Sequence, residues 1–370
     1  MSGFVVKGWC PDAWRPMMAG DGLLVRVRPP LGRLTGPQVE GLCRAAIRHG
    51  NGQIDLTSRA NLQIRGVGEE GWSTLLAELQ ALGLVDPDPV REGRSAILIQ
   101  PEWRDGDDSH AIATELRARL AELPDLPGKV GFVVDAGPAP MLSEAPGDFR
   151  IERGLGGELL LRADGRATGV AVQRADAVTM LIRLAHWFVA SGGSTAGRMA
   201  RHRAPLPAWA SGDAVPAPSA TPLRPGAHSW GAVYGLPFGR IDAQALAGRS
   251  APIRLTPWRM LLVEGVAPIP AKGMILEDTP ILHVDACVGA PACPQASVAT
   301  RDLAARLAPL VEGRLHISGC AKGCARARAA DWVLTGREGA FDLARDARAG
   351  AAPLHTGLTP ERAVALLGAC

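Results

Sequence analysis

The sequence lacks any apolar run long enough to cross a bilayer, because its most apolar helical stretch, Ala177 to Ala190, is interrupted by Arg183 and His186. A secretory leader is missing too: Met1 to Trp14 carries Lys7 with no apolar segment behind it. Neither charge sign is in large excess, since 40 Lys and Arg against 37 Asp and Glu leave a net +3. That balance excludes the strongly basic surface of a nucleic-acid-binding domain. A dinucleotide fingerprint is also absent, for Gly154-Leu-Gly-Gly157 leads into Glu158 to Leu161 and reads as a hairpin turn, not a phosphate cradle. These absences lead us to expect a cytoplasmic globular protein that draws any reducing equivalents from a separate electron-donor protein.

What is present is ample core material, with 370 residues that are 47% hydrophobic, enough for two or three domains. Lysine is scarce and arginine abundant, which suits two-pronged recognition of carboxylates. Six prolines between Arg203 and Gly226 mark an extended linker. The segments on either side are related. Ile54-Asp-Leu-Thr-Ser-Arg-Ala-Asn-Leu-Gln-Ile-Arg-Gly-Val67 aligns with Ile253-Arg-Leu-Thr-Pro-Trp-Arg-Met-Leu-Leu-Val-Glu-Gly-Val266, and Pro30-Leu-Gly-Arg-Leu34 with Pro237-Phe-Gly-Arg-Ile241. The pattern predicts one unit used twice.

Thr35 with Gln38 forms a capping-box pattern ahead of Val39, Leu42, Ala46 and Ile47, and Gly50 stops that helix. Helical periodicity also covers 72–84, 112–123, 177–190, 302–311 and 360–367. Strand-like runs fall at 23–27, 96–99, 130–134, 158–161 and 260–263. Alternation of the two kinds predicts α/β or α+β architecture with mixed sheets.

Seven cysteines without a secretion signal favour metal ligation over disulfides. Four are arranged as two pairs: Cys287 and Cys293 are spaced C-x5-C, and Cys320 and Cys324 are spaced C-x3-C. Four thiolates on two glycine-containing loops suit a [4Fe–4S] cubane, one sulfur to each iron. Gly289, Pro291, Gly319 and Gly323 supply the tight turns, and Lys322 offsets cluster charge. A structural zinc site fits less well, because zinc knuckles use shorter spacing; unliganded thiols are the other alternative. Cys10, Cys43 and Cys370 read as plain thiols.

Those cysteine pairs, with Ser318-Gly-Cys-Ala-Lys-Gly-Cys324 and Leu56-Thr-Ser-Arg-Ala-Asn-Leu-Gln-Ile-Arg-Gly66, resemble the motifs of the siroheme-dependent sulfite and nitrite reductase superfamily. Over almost the whole chain the closest resemblance is to its precorrin-3B synthase branch. The supporting segments are Gly8-Trp-Cys-Pro11, Arg15 to Leu24, Leu126 to Asp135, Gly235-Leu-Pro-Phe-Gly239 and Arg254-Leu-Thr-Pro-Trp-Arg259. The resemblance implies an α+β fold with two ferredoxin-like half-domains, at 10–80 and 227–270. It also implies two α/β domains, at 85–202 and 275–370, joined through the 203–226 linker. The implied reaction is hydroxylation of precorrin-3A at C20 by dioxygen, with γ-lactone formation, in aerobic cobalamin biosynthesis. A siroheme-dependent sulfite or nitrite reductase is the alternative, and a zinc-stapled tetrapyrrole carrier without catalysis a third reading.

A carboxylate-rich macrocycle calls for cations, and Arg26, Arg59, Arg65, Arg94 and Lys129 stand at strand ends where such a pocket would draw them. In the superfamily the equivalents of Arg26, Arg94 and Lys129 line the anion side of the site, and the equivalent of Arg59 meets the tetrapyrrole. Two departures point away from a reductase: the second lysine of the superfamily's Lys-x-Lys is Gly131 here, and its histidine is Arg65. A sulfur-saturated cluster cannot itself bind dioxygen. The resemblance therefore implies a mononuclear non-haem iron as well, with His283, Asp285 and His316 as candidate ligands. In siroheme enzymes the equivalent of Cys324 bridges cluster and haem iron.

Overall fold

The computed structural model describes residues 10–249 and 251–368; Gly8 and Trp9 of the first motif, and Cys370, lie outside the described residues. Strands β1 (Met17–Ala19) and β2 (Gly22–Val27) form a hairpin, and β3 (Arg33–Leu34) follows a tight turn. Helix α1 (Gly36–His49) starts where the Thr35 N–H donates to Gln38 Oε1 at 2.9 Å, and ends at Gly50. Then come β4 (Gln53–Leu56), β5 (Leu62–Val67) and α2 (Glu69–Ala81). Alternation decides the faces. Val25, Val27, Ile54, Leu56, Leu62 and Ile64 are buried in one core cluster with residues of both helices, while Arg26, Asp55, Gln63 and Arg65 occupy the alternate positions on the opposite face.

After α3 (Pro89–Arg94), a second sheet is built from β6 (Ile97–Ile99), β7 (Phe132–Asp135), β8 (Phe149–Arg153), β9 (Leu159–Ala163) and β10 (Val170–Val172). The first three strands pair in parallel and the last two antiparallel. Helix α4 (Asp108–Ala118) starts earlier than the periodicity suggests, because the Asp107 carboxylate accepts from the His110 N–H. With α5 (Ala177–Ala190) it contributes to this sheet's core; α6 (Gly193–Ala196) follows. The proline-rich segment is extended but tied down: Leu155 donates to the Val215 carbonyl, Ala217 to that of Arg153, and Ala220 to that of Pro140.

The second repeat contributes β11 (Gly226–His228), β12 (Gly231–Gly235), β13 (Arg240–Asp242), α7 (Ala243–Leu246), β14 (Ile253–Leu255) and β15 (Met260–Glu264). Its backbone repeats the first one's rare conformations. Leu31 (φ 53°) answers to Phe238 (φ 58°), and Ala60 (φ 52°) to Arg259 (φ 58°). The two repeats trade strands: the first sheet runs β1-β2-β5-β4-β13 and its counterpart β11-β12-β15-β14-β3. Each half-domain thus completes the other's sheet.

The last sheet comprises β16 (Val284–Ala286), β17 (Leu315–Ser318), β18 (Ala330–Arg337), β19 (Ala340–Ala347) and β20 (His355–Leu358). Its order and strand directions match β6 to β10, so the α/β domain is duplicated as well. Helices α8 (Arg301–Leu307) and α9 (Pro360–Leu367) share one core with it. Helix α8 stops before Pro309, which has no N–H to continue the ladder. Among the described residues no helix is long and apolar enough to cross a membrane.

Candidate functional site

In an open sheet, ligands gather beyond the carboxyl ends of parallel strands. Here the chain leaves β16 directly into Cys287 and leaves β17 into Gly319 and Cys320, so both cysteine loops sit at such ends. The loops are laced together. The Gly319 N–H donates to Cys287 Sγ at 3.2 Å, the Ser297 N–H to the Gly319 carbonyl at 3.1 Å, and Thr300 Oγ1 to the Cys287 carbonyl at 2.6 Å. A side chain at Gly319 would strike Ala296 at 2.5 Å, so only glycine lets the loops approach this closely.

Burial pushes the Cys324 thiol up to about 11, Lys322 opposes this, and Cys287, Cys320 and Cys293 each push it further. Burial likewise raises Cys320, with a backbone N–H at Lys322 opposing and Cys293 and Cys287 adding to it. Four thiols that influence one another this way share one space, and a positive metal centre would reverse the penalty on ionising them. Among the described residues no three His, Cys, Asp or Glu side chains gather tightly enough for a single metal ion. Four cysteine sulfurs on two glycine-bearing loops are a soft donor set of the kind that iron–sulfur clusters and zinc take.

Two of the three candidate mononuclear-iron ligands, His283 and Asp285, are engaged by other side chains. His283 is half-exposed and pairs with Asp278 at 2.8 Å. Asp285 is held by Arg259 at 2.7 Å and Arg326 at 3.2 Å, which a metal would have to displace. His316 lies fully buried beside the cysteine loop, its ring carbon Cε1 near Gly323, with neither ring nitrogen hydrogen-bonded. Burial pushes its pKa down to about 4, so the ring is neutral near pH 7.

The polar face of the first sheet turns toward these loops. The Gly20 N–H donates to the Ala292 carbonyl at 2.9 Å, and a Cβ on Gly20 would lie 2.2 Å from the Pro291 carbonyl oxygen. Across that face runs one row in register: Arg26 on β2 opposes Gln63 on β5, Gln63 opposes Asp55 on β4, and Asp55 opposes Arg240 on the exchanged β13. Arg65, two residues along β5, ion-pairs with Asp21 at 2.8 Å and lies 3.5 Å from both Asp55 and the Ala292 carbonyl.

At one end of the row the cations crowd. Burial lowers Arg26 to about 10, with Arg28 adding to the effect. Arg59 is lowered by burial and then by Arg198. Cys10 lies close enough to Arg26 and Arg59 to favour their charged forms. Arg198, which the sequence reading did not single out, reaches Asp148 at 2.8 Å; no local pattern distinguishes it. Arg94 instead meets Asp125 at 2.9 Å and the carbonyls of Leu120 and Ala121, and Lys129 is exposed ahead of β7.

The pseudo-symmetric face on the other half-domain is closed. There Arg33 and Arg254 both clasp Glu264, and Arg254 also donates to the carbonyls of Pro101 and Trp103. Its guanidinium lies over the rings of Trp103 and Trp230, at 4.2 and 4.5 Å from their centres. The loop after β6, the counterpart of Cys287 to Cys293, supplies tryptophan where the other supplies cysteine.

Residues 15–82 match the nitrite/sulfite reductase ferredoxin-like half domain. A precorrin-3B synthase of Sinorhizobium sp is 33% identical over 94% of this chain and 84% of its own. A ferredoxin–nitrite reductase of Synechococcus elongatus is 28% identical over 35% of this chain and 27% of its own. Among solved structures, the NirA protein of Mycobacterium tuberculosis superimposes with a TM-score of 0.61 at 15% identity, covering 94% of this chain and 79% of that one. That likeness is one of fold.

Proposed function

The chain belongs to the precorrin-3B synthase family, and from that premise we propose that it is an iron–sulfur monooxygenase that hydroxylates precorrin-3A at C20, with a ring A acetate closing as a γ-lactone. One oxygen atom enters the macrocycle and the other leaves as water, with two electrons drawn from a separate donor protein in the cytoplasm and two protons from solvent. The observation that carries this reading is the row of charged residues on the first sheet turned toward the paired cysteine loops. Cys287, Cys293, Cys320 and Cys324 would hold a [4Fe–4S] cluster, which supplies single-electron transfer when bound.

The chain's own residues do the rest. Arg26 and Arg59 are part-buried cations whose charged forms burial disfavours, with Arg28 adding to the effect on Arg26 and Arg198 to that on Arg59, and a substrate carboxylate beside them would offset that cost. Arg65 spans Asp21 and the cysteine loop, fixing the macrocycle's edge relative to the sulfurs. Lys129 is free to swing onto a peripheral propionate from its exposed turn. Arg94, engaged by Asp125, would act by holding the α3 segment.

A siroheme-dependent sulfite or nitrite reductase is the second reading, favoured by the partial match to a nitrite reductase. Absorption spectra and metal analysis of anaerobically purified protein separate the two. We expect a broad brown shoulder without the sharp bands of siroheme, and conversion of precorrin-3A under dioxygen to a product heavier by one oxygen atom. Siroheme bands with no such product would overturn the monooxygenase reading. A surplus of iron over acid-labile sulfide would mark a second iron. Cys320→Ser should abolish both colour and turnover.

A further inference from the structure

Opposite the Arg26–Arg59 end, three guanidiniums meet from three separate segments: Arg65 from β5, Arg240 from the exchanged strand β13, and Arg301 from the first turn of α8. Only two carboxylates serve them. Asp21 is taken by Arg65, and Asp55 is shared between Arg65 at 3.5 Å and Arg301 at 3.2 Å. Among the described residues three donor atoms are left buried with no hydrogen-bond partner: Arg240 Nε, Arg301 Nε and Arg301 Nη1.

A buried guanidinium donor without an acceptor has given up its hydration with no hydrogen bond in return, which is costly. Folds satisfy such groups almost everywhere else. Three of them together, with positive charge in excess, describe an acceptor still to come. The neighbouring charges agree, since burial lowers the Arg240 pKa and Arg301 lowers it further, with Asp55 only partly offsetting them. The fully satisfied counterpart makes the contrast. On the closed face Arg33, at the position of Arg240 in the repeat, is clasped by both oxygens of Glu264. Where the closed face has that built-in glutamate, the open face has Arg65.

We infer that Arg240 and Arg301 form a carboxylate clamp, in which a substrate acetate or propionate takes the place that Glu264 fills on the closed face. This rests on the tetrapyrrole reading and deepens it: the clamp holds the macrocycle edge opposite to Arg26 and Arg59, and selects substrates with carboxylates on both sides. Because Arg240 and Arg301 come from the second half of the chain, a bound macrocycle ties that half to the first.

The test is a fluorescence titration of the anaerobic full-length protein with uroporphyrin, which carries acetates and propionates, and with coproporphyrin, which has lost the acetates' carboxyls. Arg240→Gln and Arg301→Gln should each weaken uroporphyrin binding about tenfold, the loss of one charge-assisted pair. Both should raise KM for precorrin-3A with kcat and cluster absorbance little changed. Arg119→Gln, on a surface distant from the row and paired with Glu115 and Glu122, should leave binding as it is. Should a glutamine variant lose its brown colour, Arg240→Lys and Arg301→Lys carry the test, keeping charge but losing the fork and weakening binding by a smaller factor. Unchanged uroporphyrin affinity in the variants, with Arg26→Gln weakened, would overturn the clamp alone. A wild-type protein that binds neither porphyrin would overturn the tetrapyrrole reading and the clamp with it.

Discussion

His316 is the residue whose surroundings are least expected of a histidine. It sits on a parallel strand, fully buried, with both ring nitrogens unpartnered. Burial depresses its pKa to about 4, from an ordinary value near 6.5. The folded protein therefore prefers the neutral ring, and the unfolded chain takes up the proton first as pH falls. The stability this contributes is whole above about pH 6.5 and is lost as pH falls toward 4, by about 3 kcal/mol in all. His316→Gln should flatten the dependence of the urea midpoint between about pH 7 and about pH 5. A wild-type midpoint already as flat as the variant's would dispose of this account. Cys43 gives a simpler expectation, because burial raises its thiol to about 12. It should resist iodoacetamide in the native protein and react once urea unfolds it, as peptide mapping would show.

At the same scale, some of the site could be read directly and some could not. The cysteine spacing carries its chemistry within a few residues, so a linear pattern suffices. Arg26, Arg59 and Arg65 stand beside recognisable strands and motifs. Arg240 was within reach, since it falls in the repeated Pro-x-Gly-Arg segment, but its partner strand is chosen by tertiary structure. Arg198 and Arg301 give no local signal, as their carboxylate partners Asp148 and Asp55 lie 50 and 246 residues away along the chain. Arg94 shows the converse: position before a strand predicts a site cation, yet Asp125 lies nearer.

Among the elements, the exchanged strands are the least predictable. β3 and β13 have two and three residues, too short for any periodicity to register, and either could have paired within its own repeat. What directs them is the turn before each, where Leu31 or Phe238 takes positive φ, followed by Gly32 or Gly239. The two turns are not equally tolerant. At Gly32 (φ +64°) an added Cβ meets nothing closer than 3.9 Å, whereas at Gly239 (φ +72°) it would lie 2.4 Å from the Leu56 carbonyl oxygen. Gly32→Ala should cost about 1–2 kcal/mol for the backbone conformation alone. Gly239→Ala should cost on the order of 3 kcal/mol or more, because β4 and β13 must also separate. Equal losses in the two denaturation midpoints would mean that the close approach of β13 to β4 does not constrain the turn. The longer elements were easier to foresee: 177–190 and 360–367 coincide with α5 and α9, since burial on one face imposes a full helical period.

For the whole molecule, the exchange means that neither half is a complete folding unit. The first sheet needs β13 to cover the edge of β4, and its counterpart needs β3 beside β14. One apolar core runs through both, including Leu34, Ile54 and Leu62 from the first half with Tyr234, Ile241 and Leu261 from the second. The proline-rich segment between them looked like a tether separating two bodies, yet composition alone could not reveal that the bodies interlock. Cutting the chain there should not release them. With a protease site inserted between Ala217 and Thr221, the cleaved protein should elute from size exclusion as one species, with its far-UV circular dichroism unchanged. Residues 1–217 expressed alone should aggregate, because an uncovered β4 edge invites pairing with other chains. Co-expression with 221–370 should restore a soluble complex. Two independently soluble halves would mean that each sheet closes on its own strands, and that Arg240 reaches the Asp55 row by some route other than exchange.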